Sequence, residues 1–161
     1  MAKINVIRNT YGGLEYLQRA LNYVTDTRAM YGNGFGVNPY NTSNAYDQML
    51  AVKRYYGKTS GNPLVHIVIA YDDSVKDINA AAYYGYKGAR FFADRFQVLY
   101  CTHEKDFHCG HFHTHIIINS VSYVNGQMIQ TGYAEMNSYC NFITQVTGQK
   151  SWFYFDNKAI Y

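Results

Sequence analysis

Residues 96–121 read FQVLYCTHEKDFHCGHFHTHIIINSV. Two runs in this stretch are rich in β-branched and aromatic residues, Phe96–His103 and the start of His113–Val124, and both read as strands. The segment between them is rich in histidine, glycine and charge, which suits a connection between antiparallel neighbours. Strand side chains alternate between faces, so His111, His113 and His115 are expected on one face and Ile116 and Ile118 on the other. Two neutral imidazoles at i and i+2 can grip one divalent ion, and His103, closing the preceding strand, can supply a third. Three histidine ligands leave positions open for water or a phosphate oxygen. Five of the six histidines fall between His103 and His115, and that density outweighs the ordinary reading of a lone surface or core histidine. A zinc site built with Cys101 or Cys109 lacks CxxC-type spacing.

Outward from this stretch, Lys3–Arg8 alternates like a short strand. Leu14, Leu17, Leu21 and Val24 recur at helical spacing over Gly13–Val24. Residues 31–41 (YGNGFGVNPYN), rich in glycine and asparagine, read as a loop, and its glycine- and tyrosine-rich part, Tyr31–Tyr40, as a candidate strand-binding loop. Thr42 or Ser43 caps a second helix to about Tyr56. Leu64–Tyr71 is a strand buried on both faces except at His66. Ser74–Asp77 resembles a capping box opening a long helix to about Phe92. Asn125-Gly126 signals a hairpin with residues 127–130 returning. Glu135–Val146 is a last helix, and Trp152–Phe155 a closing strand. The order predicts an α+β fold, with a central, mainly antiparallel sheet and helices packed on one side of it. Gly57-Lys58-Thr59 imitates the end of a phosphate-binding loop, but Val52 replaces the required glycine and the triplet closes a helix instead of opening one.

At 161 residues the chain is long enough for one domain. Apolar residues at 48% and aromatics at 17% exclude a disordered chain. No run approaches the roughly 20 apolar residues of a membrane span. Three cysteines make no disulfide scaffold and point to a reducing, cytoplasmic setting. A net charge of +3 permits nucleic-acid binding without demanding it.

Thr102-His103, Glu104-Lys105-Asp106, His111–His115 and Asn119-Ser120-Val121 together resemble the third motif of relaxases, the mobilisation nucleases of the HUH endonuclease superfamily, in their MobA/VirD2-like branch. Tyr46–Gly61 is similar to the helix and GKT turn before that family's second motif, and His66 matches the histidine of that motif. Asn22-Tyr23-Val24 resembles the N-terminal motif that carries the nucleophile. His103 stands ten positions before His113, where the family usually has seven. The extra residues fit in the turn, with Asp106 and His108 as substitutes for the third ligand.

The resemblance implies a bacterial DNA-nicking domain with a two- or three-layer relaxase-like sandwich, circularly permuted relative to replication initiators. Longer members of the family carry further C-terminal regions. It implies site- and strand-specific cleavage of single-stranded DNA at the transfer origin of a plasmid or mobilisable element, beside a hairpin. Accessory proteins of the relaxosome and a coupling protein are the implied partners, and no membrane. Tyr23 is the implied nucleophile, with Tyr16, seven residues earlier on the same helix face, next in line. His103, His113 and His115 hold a divalent ion, Mn²⁺ or Mg²⁺ first and Zn²⁺, Ni²⁺ or Co²⁺ as further occupants. Asp106 and His111 assist as orienting or proton-transferring groups. Arg8, Arg19, Arg28, Lys58, His66 and Asn119 are the candidate DNA contacts. Two other readings remain: His111–Ile117 is similar to the motif of histidine-triad nucleotide hydrolases, apart from Thr114, and a single-strand-binding module without nicking uses the same aromatic surface.

Overall fold

The computed structural model describes residues 1–8, 13–107 and 109–157. The chain runs β1 (Ala2–Ile7), α1 (Gly13–Val24), β2 (Ala29–Phe35), α2 (Thr42–Tyr55), β3 (Leu64–Ala70), α3 (Ile78–Ala93), β4 (Val98–His103), β5 (His113–Asn119), α4 (Tyr133–Thr147) and β6 (Ser151–Asp156). The strands form one sheet in the order β2-β4-β5-β3-β1-β6. Every pairing is antiparallel except that of β1 with β6. The α+β class and the mainly antiparallel sheet expected from the sequence are both present.

The helices cover both faces, and the one-sided arrangement is corrected accordingly. Period-two alternation explains why. Val98, Tyr100, Ile116 and Ile118 point to one face, where they join Ala81, Ala89, Met136, Tyr139 and Ile143 of α3 and α4. Leu99, Cys101 and Ile117 point to the other and meet Tyr16, Leu17, Ala20, Leu21 and Val24 of α1, with Ala45 and Met49 of α2. Strands buried on both sides read as unbroken apolar runs and so hide the second layer. Helix α3 sits especially close to the sheet: a Cβ at Gly85 would lie 2.6 Å from the Thr114 hydroxyl.

Several boundaries differ from expectation. Residues 29–35 form an edge strand where a loop is expected, because pairing with β4 outweighs the poor strand propensity of glycine and asparagine. Phe35 stacks on Tyr100, 6.0 Å between centroids, on the α3 side of the sheet, whereas Tyr31 and Tyr40 stay exposed. Asn41, not Thr42 or Ser43, caps α2 by accepting the Asn44 amide at 3.0 Å. Asp77 caps α3, so the helix starts at Ile78 and Ser74 lies outside it. Strand β5 stops at Asn119, and the expected hairpin reduces to one bridge, Val121 to Met128. His66 is fully buried, contrary to the expectation that it interrupts the burial of β3.

Candidate active site

The register of the sheet assembles the histidines. His103 pairs with His113 across β4 and β5, and Cys101 with His115; paired residues share a face, so the three rings converge. One ring nitrogen from each lies within 4.8 Å of the others, and all three residues are buried. The longer spacing between His103 and His113 does not disturb this pairing. His111 precedes β5 instead of lying within it, so only two histidines share the strand face. The three rings that converge are those of His103, His113 and His115, the set expected to hold the ion. His108 lies outside the described residues.

Hydrogen bonds fix which nitrogen each ring can offer. His103 donates from Nε2 to the Val24 carbonyl at 2.8 Å, and its buried Nδ1 has no hydrogen-bond partner among the described residues. His113 donates from Nδ1 to the His111 carbonyl at 2.9 Å, which leaves Nε2. His115 Nδ1 lies 2.9 Å from His66 Nε2; when His115 donates that proton, its own Nε2 keeps a lone pair. Three inward lone pairs, one of them otherwise orphaned in the interior, fit a divalent ion. Burial lowers the pKa of all four rings, most strongly at His66 and His115, where the neighbouring histidines add to it. The rings are thus neutral and ready to bind a cation at neutral pH.

Two predictions arise here. A histidine whose folded pKa is depressed contributes stability above its unfolded value, near 6.5, and loses it as the pH falls below that value. The metal-free domain is therefore expected to lose thermal stability steadily below pH 6.5, by up to about 1.4 kcal/mol per pH unit for each ring. Melting temperatures between pH 7.5 and 4.5 check this; a flat profile contradicts it. His66→Leu keeps a side chain in the core but removes the acceptor that orients His115. Loss of such a partner costs about 10- to 100-fold in metal affinity, to be read by calorimetric titration with Mn²⁺.

Beside the triad, the last turn of α1 delivers Tyr23. Its ring stands edge-on to His115, 5.7 Å between centroids. The turn after α1 delivers Arg28, whose guanidinium carbon lies 4.7 Å from the Tyr23 ring centroid. Arg28 forks onto Asp26, with Nε to Oδ1 at 3.0 Å and Nη2 to Oδ2 at 2.7 Å, and reaches Asp106 at 3.7 Å. The bonds to Asp26 and then to Tyr23 raise the guanidinium's pKa, so it is a fixed cation. Tyr23, Asp26, Arg28, His113 and His115 line a trench of about 800 Å³ whose floor continues over Val68 and Ala70 to Asn5, Lys3 and Tyr154. Tyr16, by contrast, is wholly buried between α1 and the sheet.

Other expected residues are placed as follows. Asp106 accepts the Cys109 amide at 2.8 Å, and its charge acts on His113. The side chain of His111 turns to Asp73 at 3.2 Å on the trench rim; its contribution to the triad is a backbone carbonyl. His66 lies beneath His115 and does not reach the surface. Arg19 is exposed on α1 near Glu15. Arg8 stacks over Phe155 at 3.7 Å, whose ring belongs to the opposite face of the sheet. Lys58 bonds to the Gly126 carbonyl. Asn119 is buried, donating to the Met49 carbonyl at 3.1 Å and to Gln97 at 2.9 Å. The structure gathers Tyr23, Arg28, Asp106 and the triad, and leaves Arg8, Lys58 and Asn119 elsewhere. Lys3, Asn5, Asp26 and Tyr154 join the trench without having been anticipated. The alternation of KINVIR does place Lys3 and Asn5 opposite Ile4 and Val6; what the sequence hides is that β1 lies beside β3.

A tyrosine, a fixed arginine and three convergent histidines able to hold a metal ion surround one open trench, groups of the kind that a nuclease uses. A family model described as relaxase, MobA/VirD2-like, nuclease domain, matches residues 16–150. The match covers most of the chain, which belongs to that family: it is a relaxase-type DNA-nicking nuclease domain. Comparison with curated proteins gives no match. The histidine-triad hydrolase reading gives way, since His111 lies outside β5 and the family is that of the relaxases.

Proposed function

We propose that the domain nicks one strand of DNA at a specific site in the transfer origin of a plasmid or mobilisable element, by transesterification onto Tyr23. The observation that carries this reading is the position of Tyr23, edge-on to His115 and under Arg28 in the trench that the triad opens into. The tyrosine oxygen forms a bond to phosphorus while the bond from phosphorus to the 3′ oxygen breaks. The leaving electron pair stays on that oxygen, which takes up a proton and becomes a 3′ hydroxyl. The phenolic proton leaves to solvent through the open side of the trench. The product is a 5′ phosphate ester of Tyr23, and the conserved bond energy lets the strand be rejoined.

His103, His113 and His115 would hold the divalent ion, Mn²⁺ or Mg²⁺ first. A bound cation at this site supplies positive charge to the non-bridging phosphate oxygens. Arg28 stabilises negative charge as the phenol loses its proton, and Asp26 and Asp106 hold the guanidinium in place. His66 and the His111 carbonyl keep His115 and His113 in the tautomers that the site needs.

The test uses single-stranded origin DNA labelled on either side of the nick, incubated with Mn²⁺ or with EDTA. A metal-dependent covalent adduct carrying only the 3′-side fragment supports the proposal. Tight binding without an adduct would favour a single-strand-binding module that does not cut.

A further inference from the structure

The trench does not end at the histidines. Lys3 and Asn5 of β1 and Tyr154 of β6 form its far floor, and the parallel register pairs Lys3 with Trp152 and Asn5 with Tyr154. Paired residues share a face, so Trp152 and Tyr154 stand on the histidine side of the sheet. Phe153 and Phe155 alternate with them and pack on the opposite face, towards α4. Trp152 is 43% exposed. Its ring lies 5.7 Å from that of Tyr154, tilted by 35°. The Lys3 ammonium hovers over both rings, 5.5 Å from Trp152 and 4.9 Å from Tyr154.

An exposed ring and a half-buried one in a row, with a cation above them, are costly to leave on a surface and suit one kind of occupant. Successive bases of a single strand stack on such a pair, and their phosphates need a nearby ammonium. A protein partner would be expected to bury a broader apolar patch, whereas this face carries Lys3 and Asn5 on the strand beside the rings. In the unliganded chain, Lys3 occupies by cation–π attraction the space that a base would take.

We infer that Trp152 and Tyr154 form a base-stacking platform for single-stranded DNA running along the trench away from the cleaved phosphate, with Lys3 moving off the rings to meet the backbone. This inference rests on the proposed nuclease function and deepens it. Duplex DNA hides its bases and does not bind here.

Trp152 is the only tryptophan in the chain, so its fluorescence reports on the platform alone. The Tyr23→Phe chain is titrated with a single-stranded oligonucleotide spanning the nick site, and separately with the same sequence as a duplex. Saturable quenching by the single strand and none by the duplex is the expected result. Anisotropy of a labelled oligonucleotide is then compared for Trp152→Ala, Tyr154→Ala and Trp152→Phe. Each alanine variant is expected to bind about tenfold more weakly, and the phenylalanine variant to keep most of the affinity, with circular dichroism showing an intact sheet in all three. Binding with no quenching and no loss in the alanine variants overturns the platform and leaves the nuclease reading standing. Absence of any single-strand binding by the parent chain overturns both. Quenching that follows protein concentration instead of DNA would mark this face as an interface between copies and also overturns the inference.

Discussion

Replacing Tyr23 by phenylalanine is expected to abolish the covalent adduct and to lower nicking by about 10³-fold or more, since loss of a covalent nucleophile removes the pathway itself. The fold is expected to persist. Tyr23 is half-buried, its edge-on contact with His115 and the stacking of Arg28 on its ring survive loss of the hydroxyl's bond to Arg28, and the core of α1 rests on Leu17, Leu21 and Val24. Denaturing gel analysis of labelled origin DNA reads the adduct, and a thermal melt reads the fold. Tyr16 has no route to a phosphate from its buried position, so it is not expected to substitute. An adduct that survives in Tyr23→Phe would transfer the nucleophile to another residue and with it the geometry proposed for attack.

The second large effect is expected at the triad. His113→Ala and His115→Ala each remove one of three nitrogens within 4.8 Å of one another. Two remaining imidazoles make a poor site for a hard ion such as Mn²⁺ or Mg²⁺. Loss of a direct ligand should exceed the about 10- to 100-fold penalty expected for an outer partner such as His66. Measurable Mn²⁺ binding and metal-dependent nicking are therefore expected to disappear together in either variant. The same removal relieves crowding among buried imidazoles, so the metal-free variants are expected to be no less stable below pH 6.5 than the parent. Nicking that continues unchanged in His113→Ala would separate the chemistry from the ion.

The site was legible in sequence where local rules carry it. The HxH spacing needs only strand alternation, so His113, His115 and the inward Ile116 and Ile118 could be read directly. His103 needed a partner strand, and the two runs flanking a polar segment supplied that argument. Tyr23 rested on family resemblance, because eighteen tyrosines obey no local rule that singles one out. Arg8 and Asn119 show where composition gives out. A cation or an amide in sequence says nothing about which face of the sheet it meets, and here one stacks on Phe155 and the other closes a buried hydrogen-bond set. The glycine-rich strand β2 was illegible for the complementary reason: its pairing comes from β4, which is remote in sequence. Two-sided helix packing was equally hidden, since a strand buried on both faces carries no periodic signal.

The parallel pairing of β1 with β6 has a consequence for the timing of synthesis. Lys3 and Trp152 lie far apart along the chain, with Trp152 the later made, yet they sit side by side. Contacts so distant along the chain close late in folding, because most of the chain's freedom is lost before they form. A nascent chain that already holds its histidines still has an unpaired β1 edge and only one wall of the trench. If the proposed platform grips DNA, a product ended before residue 154 would keep Tyr23 and the histidines yet hold a single strand more weakly.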